Sequence, residues 1–418
     1  MNILVVGAGP AGMAAALAAA PSGAAITVLD DNPAPGGQIW RDGPKAQLPP
    51  VALRMREALA RHGNVRVLCG TRVVATAQQP RTLLLEDAQR GWVQAYDRLI
   101  LCTGARELLL PFPGWTLPGV TGAGGLQALV KAGLPVRGER IVVAGSGPLL
   151  LAAAATARKA GARVLRIAEQ ASLGSVAAFA AQLWRWPAKA RQAVGLADTH
   201  YRTASRVVAA HGMGQVESVE LLEGGKRRVL ACDRVACGFG LVPNVELGRL
   251  LGCMTKPTAG MPALEVDELQ ATSMPGIYAA GECTGIGGSE AALVQGAIAG
   301  HAATGDRAAA HKLGLERARW QAFADRLHRS FALGPELRQL PAADTLVCRC
   351  EDVPHAALAA CTGWTEAKLH TRCGMGACQG RVCGAAAQFL FGWTPPAPRV
   401  PLSPARVGTL AASIEGAA

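Results

Sequence analysis

Six of the chain's twelve cysteines fall between Cys348 and Cys383, a density that asks for a chemical reason. Two short stretches carry most of them: Val347-Cys348-Arg349-Cys350-Glu351 and Cys373-Gly374-Met375-Gly376-Ala377-Cys378-Gln379-Gly380-Arg381-Val382-Cys383. Thiolates on glycine-rich loops suit a 2Fe–2S cluster, because glycine lets the backbone approach the sulfides. Zinc is the competing reading, although its cysteine pairs ordinarily stand two or more residues apart and Cys-x-Cys is unusual for it. Disulfides are disfavoured in the reducing compartment that the rest of the chain suggests. Cys361 ends the apolar run 356–360 and reads as packed in a helix, while His355 and His370 read as surface residues. Cys69, Cys102, Cys232, Cys237, Cys253 and Cys283 are scattered and read as small buried hydrophobes. The eight histidines are dispersed, so no general acid or base stands out and no catalytic residue is assigned.

The second chemistry-bearing pattern opens the chain. Gly7-Ala8-Gly9-Pro10-Ala11-Gly12 follows the apolar run 1–6 and leads into an alanine-rich helix. Strand, glycine elbow and helix N-terminus together make a site for a dinucleotide pyrophosphate. A second strand, 25–29, ends in Asp30, placed to take the two hydroxyls of an adenosine ribose. Gly36, Gly37, Gln38 and Arg41 come next, where paired glycines suit backbone against a ligand and the two polar side chains can reach ring or phosphate. A buried strand closes the lobe at Thr103-Gly104. Far downstream, Tyr278-Ala-Ala-Gly281-Glu282 ends another strand before a glycine-rich helix start that leads on to Gln295. Its acid suits a ribityl hydroxyl, and the helix dipole suits an anionic flavin ring.

The elbow recurs. Gly145-Ser146-Gly147 follows the apolar run 141–144, and a strand ending in Glu169 keeps nearly the spacing of Asp30. Leu150 replaces the third glycine, so the unit is splayed or its pocket altered. A nucleotide there is an open question, and Glu169 would favour NAD or a plain adenine nucleotide over NADP.

Elements that would position these residues imply an α/β chain. It has two Rossmann-like dinucleotide-binding domains, the second inserted in the first, and a small helical iron–sulfur domain. We place the first part of an FAD-binding domain at 1–117 and a nicotinamide- or adenine-nucleotide-like domain at 118–243. The FAD domain returns at 244–310, followed by a helical connector at 311–340, the 2Fe–2S domain at 341–395 and a Pro-rich tail at 396–418. Half of the 418 residues are hydrophobic and 17% charged, which supplies large cores and excludes wholesale disorder. The net charge of +12 suits an acidic partner or a solvated surface, but aromatics are 4% and none interleave a basic tract, which argues against nucleic acid. Residues 1–29 lack charge, yet glycines and Pro10 and Pro21 interrupt them and no basic n-region precedes them. The expectation is a cytoplasmic chain with no membrane span.

Gly7, the second elbow at Gly145 and the segment ending in Glu282 together resemble the two-dinucleotide-binding-domain flavoproteins over roughly residues 1–310. Glu282 stands where Asp is commoner. No closely spaced cysteine pair lies beside either elbow, so a thioredoxin-reductase type of disulfide relay is not expected. Residues 348–383 resemble the bacterioferritin-associated-ferredoxin-like domain. That resemblance implies Cys348, Cys350, Cys378 and Cys383 as ligands, with Cys373 a spare thiol. Across nearly the whole chain the order is similar to the α subunits of dye-linked amine and imino-acid dehydrogenases, the family of hydrogen cyanide synthase, opine oxidases and proline dehydrogenases. This implies FAD and a 2Fe–2S cluster here, with NAD, ATP or nothing in the middle domain and FMN at a subunit interface. It also implies a flavin-containing β subunit that oxidises the substrate and a small ferredoxin-like γ subunit. Alternatives are an NAD(P)H-dependent reductase feeding the cluster, and a non-catalytic nucleotide-binding assembly subunit.

Overall fold

The computed structural model describes residues 1–415. It divides into two compact units, the first made of Met1–Arg106, Val242–Ala324 and the chain from Ala397 onward. Its centre is a five-stranded parallel sheet in the order Ile277–Ala279, Arg98–Leu101, Asn2–Val6, Ala25–Asp30, Val65–Cys69. Covered on both faces, its inner strands are apolar runs rather than alternating ones: Ile3, Leu4, Val5, Leu99, Ile100 and Leu101 are buried.

The helix Pro10–Ala19 is apolar on every side because the helix Gly288–Ala303 packs hard against it. A Cβ on Gly296 would lie 2.1 Å from the Ala11 carbonyl oxygen, and one on Gly300 would lie 2.2 Å from that of Ala15. Only backbone fits there, so alanine and glycine replace larger side chains along the contact. Pro10 at the first helical turn loses nothing, since its missing N–H would have had no intrahelical partner.

A three-stranded antiparallel sheet, Arg72–Thr76, Thr82–Glu86 and Gly91–Ala95, belongs to the same unit. The end of the chain docks on it. Leu402 N–H donates to the Val74 carbonyl (2.7 Å), and the helix Val407–Glu415 lies over the strand Gly91–Ala95. Buried Glu86 receives the Arg406 N–H (2.9 Å) and the Thr409 hydroxyl (2.6 Å) and pairs with Arg72.

The second unit comprises Glu107–Leu241 and Asp325–Pro396. Its parallel sheet runs Tyr201–Arg202, Arg163–Glu169, Arg140–Gly145, Arg234–Gly238, Val120–Gly122. An antiparallel sheet of Ser205–His211, Ser218–Glu223 and Lys226–Ala231 accompanies it. The cysteine-rich part is a small hairpin, Leu346–Cys348 with Val353–Pro354, and three helices, His355–Ala359, Trp364–Thr371 and Cys383–Phe391. Val347, Leu358, Trp364 and Ala386 give it a core of its own. Trp115 fastens the hairpin, donating its indole N–H to the Leu346 carbonyl (2.6 Å) while the Arg349 guanidinium lies 5.2 Å over its ring. His355, expected at the surface, is half-buried and stacks on Phe391, while His370 is exposed. Among the described residues no helix is long and apolar enough to cross a membrane.

Candidate cofactor and metal sites

The first elbow is built as its glycines require. Gly7 sits at φ +107°, and a Cβ there would lie 2.1 Å from the Cys102 carbonyl oxygen, so the turn admits glycine alone. Gly12 lets the helix close onto the strand, since its Cβ would strike the Gly7 carbonyl. Asp30 at the end of the second strand is buried and accepts the Ala8 N–H (2.7 Å) and both the backbone and side-chain N–H groups of Asn32 (2.8 and 2.7 Å). It thereby ties the elbow to the strand beside it.

The loop 36–41 closes over the elbow: Gly36 N–H donates to the Ala8 carbonyl, and a Cβ on Gly37 would lie 3.0 Å from the Gly9 Cα. Arg41 donates to Gln38 Oε1 (2.7 Å), while its Nε is buried with no partner among the described residues. Thr103 and Gly104 are held by a residue not singled out in the sequence. Asn244 exchanges hydrogen bonds with Thr103, donates its N–H to the Gly104 carbonyl and receives Arg106 (2.7 Å). Gly281 N–H donates to Gln295 Oε1 (2.9 Å), which orients the turn before Glu282. Burial pushes the Glu282 carboxyl up, with the Gly288 N–H partly opposing it. An orphaned guanidinium nitrogen, a backbone cradle at Gly9 and Gly37, and a desolvated acid at a glycine-rich helix start fit the residues to a dinucleotide flavin.

The second elbow differs. Gly145 and Gly147 have positive φ, and Glu169 is fully buried, accepting Gly147 N–H (2.7 Å), Ala171 N–H (2.9 Å) and the Tyr201 hydroxyl (3.3 Å). Burial raises its carboxyl, and these donors oppose the shift. Leu150, in the third glycine's place, is buried in the core of its unit alongside Ala123 and Val143.

What the sequence did not disclose is an occupant from the chain itself. Ser146 Oγ donates to the Phe331 carbonyl (2.9 Å), and Gln170 Nε2 donates to the Ala332 carbonyl (2.9 Å). Gln170 Oε1 in turn accepts the Gly334 N–H (3.2 Å). Phe331 meets Phe179 edge-on at 5.2 Å and lies 3.9 Å from where a Cβ on Gly147 would be. The segment 331–334 thus lies across the face of the elbow where a pyrophosphate would approach Gly147.

All twelve cysteines are free thiols. Cys232 and Cys237 are buried, and burial raises both, Cys232 to about 11. Such thiols are inert rather than redox-active. The C-terminal cysteines behave otherwise. Cys348, Cys373 and Cys383 are buried with their sulfurs all within 4.8 Å of one another.

Cys350 and Cys378 lie on the outer side, Cys350 exposed. Contact with Cys383 pulls Cys378 down to about 5, and contacts with Cys373 and then Cys383 hold Cys348 far below the ordinary thiol range. Close packing makes the convergence possible: a Cβ on Gly376 would lie 2.2 Å from the Cys350 Cβ, and Arg372 pairs with Glu351 (2.8 Å) across the two loops. Asp352, Arg372 and Gln379 all take positive φ, so the loops carry backbone strain where the thiols meet. Cysteine sulfurs converging on glycine-rich loops fit an iron–sulfur centre. Cys373, the expected spare, stands inside the group.

Residues 1–301 match the family model described as pyridine nucleotide-disulphide oxidoreductase. The chain is 31% identical to hydrogen cyanide synthase subunit HcnB of Pseudomonas protegens, over 97% of this chain and 96% of that protein. It is 32% identical to an opine oxidase subunit of Agrobacterium tumefaciens, over 98% of this chain and 88% of the other. Rhodocoxin reductase of Rhodococcus erythropolis is 31% identical over 68% of this chain and 65% of its own length. Among solved structures, L-proline dehydrogenase from P. horikoshii shares the fold, with a TM-score of 0.66 at 18% identity over 98% of this chain and 79% of that one. With both elbows and the cysteine-rich unit present in that order, the chain belongs to the pyridine nucleotide-disulphide oxidoreductase family, among dehydrogenase subunits of the HcnB and opine oxidase kind.

Proposed function

We propose that this chain is the FAD- and 2Fe–2S-carrying α subunit of a multi-subunit cytoplasmic dehydrogenase. Its substrate is an amino or imino acid of the hydroxyproline, proline, opine or glycine class, and a quinone or dye-like acceptor takes the electrons. A flavin-containing β subunit oxidises the substrate, FMN sits at a subunit interface, and a small ferredoxin-like γ subunit completes the assembly. A bound flavin supplies the exchange between two-electron and one-electron chemistry, and a cluster supplies one-electron carriage.

The chain's own residues hold and orient these groups. The N–H groups of Gly9 and Ala11, at the helix start that Pro10 shapes, would face the pyrophosphate, Asp30 the ribose, and Gly281 with Glu282 the ribityl end. Gly37, Gln38, Arg41, Thr103 and Gly104 border the cradle, while Cys348, Cys350, Cys378 and Cys383 ligate iron.

The observation that carries this reading over a nicotinamide-fed reductase is the segment 331–334 lying on Gly147 and held by Ser146 and Gln170. A second elbow with its own chain lying against it supports electron entry from a partner subunit. The test is anaerobic absorbance of the purified chain. NADH or NADPH should leave the flavin band near ~450 nm intact, whereas co-purified β subunit with its amino acid should bleach it. Rapid bleaching by NADH alone would overturn the proposal. A colourless chain with one zinc would leave the assembly-subunit reading.

A further inference from the structure

We propose that Cys373 is a reserve ligand on the buried side of the cysteine cage, able to replace Cys348 or Cys383 but not Cys350 or Cys378. This rests on the cluster reading above, and it is decided by where the five sulfurs lie. The sulfurs of Cys348, Cys373 and Cys383 are mutually within 4.8 Å. Two thiolates on one tetrahedral metal ion, with metal–sulfur bonds of about 2.3 Å, stand roughly 3.8 Å apart. The buried trio is therefore spaced like ligands of a single metal position, with one thiol more than the pair that a 2Fe–2S centre needs there. Cys350 and Cys378 form the outer pair, with Gly376 of the second loop pressed against the Cys350 side chain. Cys378 also touches Cys383, but among the described residues no third sulfur lies within 4.8 Å of both Cys350 and Cys378.

Replacement needs little movement. The thiol of Cys373 is buried and has Cys348 and Cys383 as neighbours, and its backbone N–H is fixed by the Thr371 hydroxyl (3.2 Å). In Cys348→Ala the Cys373 sulfur would bond to iron at the position left without a thiolate, its proton leaving to solvent, and no electrons change hands. Cys373 shares one buried cluster with Trp364, Leu358 and Ala367, so its thiol is shielded from solvent on the same side that brings it to the sulfurs of Cys348 and Cys383.

The experiment compares full-length wild type with Cys348→Ala, Cys378→Ala, Cys373→Ala and the double variant Cys348→Ala/Cys373→Ala. Iron, zinc and acid-labile sulfide per chain are measured, with the electron paramagnetic resonance spectrum after dithionite and far-ultraviolet circular dichroism as the folding control. Cys348→Ala should keep most of its iron with a shifted spectrum, and Cys373→Ala should match wild type. Cys378→Ala and the double variant should lose iron at least about tenfold. A folded Cys348→Ala as depleted as Cys378→Ala overturns the inference, as does a double variant that keeps its iron. Zinc in place of iron in wild type would overturn the electron-transfer reading, while the same variants, read as zinc content, would still decide the role of Cys373. A wild type with no metal would overturn both.

Discussion

Two acids in the flavin-type unit make different use of their surroundings. Glu282 is desolvated at the end of its strand, and burial raises its carboxyl. A carboxyl raised in the folded chain stabilises it fully below the unfolded value and loses that contribution as pH rises through the folded one. Flavin-free wild type should therefore lose thermal stability from about pH 4 upward relative to Glu282→Gln, and the difference in Tm across pH 4–7 measures it. The same variant should retain less FAD after gel filtration, read as extracted flavin per chain, if the acid takes a ribityl hydroxyl. Asp30 serves the structure, because three N–H groups point at it. Asp30→Asn turns one acceptor into a donor and should cost about 1–3 kcal/mol along with most of the bound flavin. Its position was legible, since a strand ending in acid at a fixed distance after the elbow is a local pattern. The contacts of Ser146 with Phe331 and of Gln170 with Ala332 were not legible, because no local rule links residues 162 or more positions apart.

At the scale of elements, the contact between the helices Pro10–Ala19 and Gly288–Ala303 is set by what is missing from them. Gly296 and Gly300 present backbone to the Ala11 and Ala15 carbonyls, so an added methyl has no room. Gly296→Ala should destabilise the chain by about 1–3 kcal/mol in urea unfolding. Gly63→Ala, where nothing lies within 4 Å, should shift it by less than about 0.5 kcal/mol. A result with the two equal would mean that the helices are not held at this distance. The apolar strands and the alanine-rich helix could be read from composition and period, and they stand where expected, the helix as Pro10–Ala19. Which helix covers the first one could not be read, because a Gly-x-x-x-Gly spacing has many partners of equal local merit.

Across the whole molecule, the end of the chain completes the first unit. Burial pushes Glu86 up, but the Thr409 hydroxyl, both Arg406 donors and Arg72 outweigh it and hold the carboxyl below its ordinary value. Here the sign is reversed from Glu282: the contribution is present above the unfolded value and lost as pH falls through the folded one. The double variant Arg406→Ala/Thr409→Val should cost about 1–3 kcal/mol at neutral pH, and the loss should shrink below about pH 4. Equal Tm values for wild type and variant at pH 7 would show that the end of the chain is not docked.

The sequence by itself determined the two elbows, their acids, the parallel-sheet units and the cysteine-rich unit. Each is written in short stretches where residue type and spacing act within one strand–turn–helix or one loop. Tertiary structure alone decided that segment 331–334 lies against the second elbow, that the Pro-rich end seals Glu86, and that Cys373 joins two other buried sulfurs. These depend on contacts between distant segments, where van der Waals fit and the satisfaction of buried polar groups choose among partners that local sequence leaves equivalent.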